Sequence, residues 1–228
     1  MTTRAVLFDW TGTLAYRDRS RSRDPVAALA AALGGSATGE RQLRQVLRDV
    51  MDEHGDAISV DALVEQTAQC LGLDTAPGTF ERATNAFAAA VMSGQELYDD
   101  ARAMIASLRY RGYRLAIVSN LVLSAEHLRD HLQACSASGY FDAIVTSADT
   151  GAAKPHPAPF LRALELLQVT ADEALAVGDS EETDIVGARA AGIPAVLLDR
   201  REHGRRPAAI GRLTGLNALL GEGPAPVA

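Results

Sequence analysis

Five short apolar runs, each closed by a polar or acidic residue, constrain this chain more than any other feature. They lie at residues 5–9, 115–120, 143–147, 174–179 and 195–199. Each is too short for a helix, and several are rich in Val, Ile and Leu, as strands are when a parallel sheet is covered on both faces. Between the later runs, segments 101–111, 124–132, 157–167 and 183–191 carry helical periodicity. Strand and helix alternating in this way predict an α/β chain with a Rossmann-like, doubly wound parallel sheet. Open sheets of this kind bind ligands beyond the carboxyl ends of their strands, so the residues that close the runs become the ones to inspect.

A long stretch after the first run has a different character. Segments 41–51, 60–71 and 80–92 are helical in pattern and carry few strand signals, with Gly34, Gly35, Gly55, Pro77, Gly78 and Gly94 as punctuation. The expected organisation is an α/β core of residues 1–14 and 96–228 carrying a helical cap domain at 15–95. An insert leaving the carboxyl end of the first strand stands over the ligand-binding edge and is a candidate lid. Residues 200–228 are loop-rich, with a short helix-like stretch at 213–220 and a Gly/Pro/Ala tail expected to be mobile.

The formal net charge of -7 argues against a surface built for nucleic acid or anionic membrane, so an anionic ligand must be met locally. No apolar run approaches the ~20 residues needed to span a bilayer. The N-terminal apolar run is broken by Asp9 too early for a signal peptide. A cytoplasmic monomer or homodimer is expected. Cys70 and Cys135 lie far apart with no ligand spacing, and read as reduced thiols in or near the core. The chain holds 22 basic residues, and only Lys154 among them is a lysine.

Four polar strand ends or loops fall into order along the chain. The first is Phe8-Asp9-Trp10-Thr11-Gly12-Thr13-Leu14, an acid leaving an apolar strand into a glycine turn. Then come Val118-Ser119-Asn120, Lys154-Pro155-His156-Pro157 ahead of a helix, and Val177-Gly178-Asp179-Ser180 followed by Asp184. Taken singly, each has a plain structural reading. Asp9 fits a turn, Asp179 an N-cap for the helix at 183–191, Ser119 a cap or turn, and Lys154 a solvated charge. His156 reads as structural or solvent-facing. Trp10 either walls the site against water or packs beneath the insert. Arg17, Arg19, Arg21 and Arg23 form either a solvated face or a greeting for an anion.

In order, spacing and placement the four together resemble the motifs of the haloacid dehalogenase superfamily, with a helical cap of the kind inserted after the first motif. That resemblance implies a hydrolase with Asp9 as nucleophile. It places Mg²⁺ among Asp9, Asp179, Asp184 and the backbone carbonyl of Thr11, and a transferring phosphoryl group against Ser119, Asn120 and Lys154. The chemistry is coherent, because a carboxylate attacks phosphorus only when a cation and hydrogen-bond donors offset the repulsion between two anions. A compact lysine ammonium suits an oxygen shared with a neighbouring carboxylate.

One position departs from the pattern. Most phosphatases of that family carry a second acid two residues after the nucleophile, where this chain has Thr11, and a threonine hydroxyl has no useful acidity near pH 7. Three functions fit: a Mg²⁺-dependent phosphatase for a small phosphorylated metabolite, working through an aspartyl-phosphate; a 2-haloacid dehalogenase-like hydrolase; and a catalytically weak phosphate-binding protein.

Overall fold

The computed structural model describes residues 3–34, 37–73, 76–200 and 212–213. Six parallel strands form the main sheet, in the order β5-β4-β1-β6-β7-β8. They are β1 (Ala5–Phe8), β4 (Arg114–Ser119), β5 (Ala143–Thr146), β6 (Ala174–Gly178), β7 (Ala195–Leu198) and β8 (Arg212–Leu213). The expected doubly wound α/β sheet is present. The order reverses across β1: the chain runs outward through β4 and β5 on one side, then returns to β6 and β7 on the other. Such a switch point opens a crevice at the carboxyl ends, and β1, β4 and β6 all end there.

Successive residues of β1 face opposite layers, as the period of two requires. Val6 and Phe8 pack with residues of α5 (Asp99–Tyr110) and α6 (Ala125–Ala134), including Met104, Ile105 and Leu128. Ala5 and Leu7 pack on the other face with Phe160, Ala163 and Leu167 of α8 (Ala158–Leu167) and Ala188 of α9 (Val186–Ala190). A turn of π-helix, Glu181–Ile185, leads into α9.

Residues 15–97 leave and rejoin the sheet through a short antiparallel ribbon, β2 (Ala15–Arg17) with β3 (Gln95–Leu97). Four helices lie between: α1 (Pro25–Ala32), α2 (Ala37–His54), α3 (Val60–Cys70) and α4 (Pro77–Met92). Asp24 caps α1 by accepting from the amides of Val26 and Ala27, with Pro25 in the first turn. The insert shares one continuous apolar cluster with the sheet, in which Leu29, Leu63, Phe87, Phe8 and Leu123 are all buried.

Polar contacts brace the core beside the base of the insert and dock the insert on it. At its base, Arg200 donates to the carbonyl of Thr13 and to Asp100, with its guanidinium 3.7 Å over the Tyr98 ring. Away from the ribbon, the Val60 amide donates to the Val122 carbonyl at 2.7 Å. Close by, the hydroxyl of Ser147, in the short helix α7 (Ser147–Thr150), donates to the Asp56 carbonyl.

Several expectations shift. Residues 212–213 pair as strand β8 rather than opening a helix at 213–220, and the rest of that stretch lies outside the described residues. Cys70 is exposed at the end of α3 rather than buried, and both cysteines are free thiols. No helix among the described residues is long and apolar enough to cross a membrane.

Candidate active site

At the carboxyl edge of β1, Asp9 meets Lys154, Asp184 and Asp179. Lys154 Nζ donates to Asp9 Oδ1 at 2.7 Å, to Asp184 Oδ1 at 2.6 Å and to the Val118 carbonyl at 2.8 Å. The three protons of the ammonium thus meet three acceptors. Lys154 is 4% exposed, so the only lysine of the chain is buried and not a solvated surface charge.

Its loop is held as firmly as its tip. The Lys154 amide donates to Asn120 Oδ1 at 2.7 Å, and Asn120 Nδ2 donates back to the Lys154 carbonyl at 2.9 Å. Asn120 therefore grips the backbone of Lys154, where the sequence suggested a ligand contact. Ser119 ends β4 beside it and is buried.

Asp184 is buried and saturated on both sides, with Oδ1 on Lys154 and Oδ2 accepting from the Ser180 amide at 3.0 Å. Two glycines make room for these acids. A Cβ on Gly12, whose φ is +93°, would sit 2.3 Å from Asp179 Oδ2, and one on Gly178 would sit 2.3 Å from Asp184 Oδ2. Either addition would push a carboxylate out of the cluster. The helix-capping alternative for Asp179 does not hold, because Ser180 is the N-cap of the turn at Glu181–Ile185 and its hydroxyl accepts from the Thr183 amide.

Carboxylate oxygens of Asp9, Asp179 and Asp184 all lie within 4.8 Å of one another. Lys154 pairs with two of these acids, Asp9 and Asp184, and Asp179 lies exposed at the edge of the group. Among the described residues Asp9 Oδ2 is buried with no hydrogen-bond partner. Burial, with the charges of Asp184 and Asp179 adding to it and Lys154 opposing, pushes the Asp9 carboxyl up to about 6. Burial opposes the charge on Lys154, but the two acids outweigh it and hold the ammonium above its ordinary value. An orphaned buried oxygen amid hard oxygen donors is a place where a divalent cation fits.

The remaining expectations fall outside this cluster. Thr11 is exposed on the turn after Asp9, and Trp10 is fully buried, edge-on to His131. His156 is exposed and accepts from the Ala158 amide, a local structural role. Arg17 donates to the Val91 carbonyl and Arg21 pairs with Glu96 and Asp18, so these two brace the ribbon. Ser147 and the Val118 carbonyl escaped the sequence reading. The Thr146-x-x-Asp149 capping box around Ser147 is visible in the sequence, but nothing there ties it to Asp9.

The haloacid dehalogenase-like hydrolase family model matches residues 3–192. A phosphoserine phosphatase from Thermus thermophilus is 38% identical over 49% of this chain and 43% of its own length. A ribulose-1,5-bisphosphate 5-phosphatase from Halopiger xanaduensis is 33% identical over 56% and 52%. The chain thus spans about half the length of the curated relatives it matches. Among solved structures, a HAD phosphatase from Thermococcus onnurineus has a TM-score of 0.66 at 26% identity, with 100% of both chains covered. A 2-haloacid dehalogenase from Pseudomonas syringae has a TM-score of 0.71 at 23% identity over 97% of each chain, a likeness of fold. With four motifs converging on one cluster and the family match running through all of them, this chain belongs to the haloacid dehalogenase-like hydrolases.

Proposed function

We propose that the protein is a Mg²⁺-dependent phosphoric monoester hydrolase that acts on a small phosphorylated metabolite through an aspartyl-phosphate on Asp9. The observation that carries this reading is the grouping at Asp9: carboxylate oxygens of three acids within 4.8 Å of one another and, among the described residues, a buried Asp9 oxygen without a hydrogen-bond partner. Neighbouring carboxylates repel unless a cation joins them. The similarity to phosphatases over half of the chain supports the same choice.

In this reading Asp9, Asp179, Asp184 and the Thr11 carbonyl hold Mg²⁺, with Asp184 placed either on the ion or on a water beside it. The bound ion supplies electrostatic stabilisation for the charge on the transferring phosphoryl oxygens. An Asp9 oxygen attacks phosphorus, the ester P–O bond breaks, and the leaving oxygen departs with the bonding electrons. Water then cleaves the acyl phosphate, restoring Asp9 and releasing inorganic phosphate. Ser119 donates to a phosphoryl oxygen, and Lys154 neutralises charge between that group and Asp9. Asn120 acts as a positioning residue for Lys154.

Residues 15–95 serve as the cap over this edge and the remainder as the catalytic core. The same proposal takes the chain to work in the cytoplasm as a monomer or homodimer, without nucleic acid or membrane as partner. The test is a screen of phosphorylated metabolites and 2-haloacids with and without Mg²⁺. Phosphate release that requires Mg²⁺ is the expected result. Halide release in chelator, or binding of phosphate without turnover, would replace the proposal with one of the other two readings.

A further inference from the structure

A single buried hydroxyl stands where the insert, the β4 loop and the Lys154 loop meet. Ser147 is fully buried. Its Oγ accepts from the Leu121 amide at 2.8 Å, donates to the Asp56 carbonyl of the insert, and lies 3.2 Å from the Leu121 carbonyl. That carbonyl also accepts from the Ala148 amide at 3.3 Å. One residue further on, the Val122 carbonyl takes the amide of Val60 from the insert. On the other side of Leu121 is Asn120, whose amide group grips the backbone of Lys154 through both of its polar ends.

We propose that Ser147 is a positioning residue: by clasping the insert at Asp56 to the loop at Leu121, it fixes Asn120 and through it the placement of Lys154 beside Asp9. The physical ground is that backbone groups turned away from water need partners, and here a buried serine serves one group of half-buried Leu121 and one of Asp56 at the surface of the insert. If the hydroxyl is removed, the Leu121 amide and the Asp56 carbonyl lose theirs, and segment 120–122 relaxes toward water. Asn120 lies within that segment and has no freedom to move without moving Lys154. A shift of about 1 Å at a catalytic group can cost up to 10²-fold in rate. The clasp also makes the insert more than a lid, because its docking and the order of the lysine loop share one hydrogen-bond node.

The catalytic part of this inference rests on the phosphatase reading, and the exchange part does not. The experiment compares wild type, Ser147→Ala and Ser147→Cys in the full chain by amide hydrogen exchange and by steady-state phosphatase kinetics. Cysteine fills the site but donates weakly, so it keeps the proposal testable should the alanine variant fail to fold. In the variants the amides of Leu121, Val60 and Lys154 should all exchange faster, by tenfold or more in Ser147→Ala and by less in Ser147→Cys. In the same order kcat should fall, about tenfold or more in the alanine variant, while KM stays within about twofold. A purely local role would speed exchange at Leu121 alone and leave Val60, Lys154 and kcat unmoved, which overturns the proposal. If no ester is turned over even by wild type, the functional reading fails, and the exchange rates at Val60 and Lys154 still decide the clasp.

Discussion

Replacing Lys154 by methionine tests whether the ammonium is the keystone of the acid cluster. Methionine has similar length and is apolar, so the change removes charge without opening a large void. It leaves Asp9 and Asp184, with side chains 11% and 5% exposed, facing each other without the cation that now lies 2.7 and 2.6 Å from them. Breaking a buried pair by removing one partner costs about 3–5 kcal/mol. At ~2–4 °C per kcal/mol for a chain of this size, the melting temperature should fall by roughly 10 °C. The assay is thermal unfolding in EDTA at pH 7.5 and at pH 5. The deficit should shrink at the lower pH, because a carboxyl stripped of its cation rises further in pKa and takes a proton. Adding Asp184→Asn to the lysine variant should recover part of the loss. Lys154→Arg should not substitute fully, since a planar fork does not match three acceptors grouped around one nitrogen. A Lys154→Met variant melting within about 2 °C of wild type at pH 7.5 would refute the reasoning.

Four further outcomes follow from the same site. Asp9→Asn should abolish turnover with the fold retained by circular dichroism, because the amide keeps the shape but is no nucleophile; near-normal rates would remove the covalent step. Burial and the neighbouring acids push the Asp9 carboxyl up to about 6 from its ordinary 3.8, so the stability it lends in the metal-free protein is present below about pH 4 and is lost as pH rises through 6. Since Mg²⁺ requires the ionised form, the rise in melting temperature it produces should grow from pH 5 to pH 7.5, and a shift that shrinks over that range would count against the site. Gly12→Ala should weaken Mg²⁺ affinity and cost about 1–3 kcal/mol, since a Cβ meets Asp179 in a left-handed turn; isothermal titration and urea melts read both. With threonine at position 11, turnover should favour aryl and acyl phosphates over alkyl phosphates, and Thr11→Asp should narrow the gap by no more than the ~10² to 10⁴ of general acid catalysis; a flat leaving-group dependence in wild type would show that another group already supplies the proton.

Five of the six strands of the sheet were legible because each is built on an apolar run, and the run ends fell within a residue of the observed strands; β8, only Arg212 and Leu213, was not. Helix α1 was not, since its sequence PVAALAAA gives almost no contrast between faces. The ribbon of β2 and β3 is three residues on each side and exists only through pairing between segments distant in sequence. The acids and the lysine of the cluster were legible as types at strand ends, but their company was not. That Lys154 has three acceptors and that Asn120 serves its backbone depend on tertiary approach. Arg17 and Arg21 looked like free cations for the same reason, and their partners Val91 and Glu96 come from the far end of the insert.

The join between insert and core at Asp56 and Val60 is made by main-chain atoms of the insert, a carbonyl and an amide. It therefore depends on the path of the backbone there and hardly at all on side-chain identity. Side-chain changes over α2 and α3 can alter the surface of the insert while this attachment is kept. Proline at position 60 is the clearest exception, because it has no amide hydrogen to give. The outer face of the insert is thus open to drift in this chain, whereas its registration on the core is protected from it.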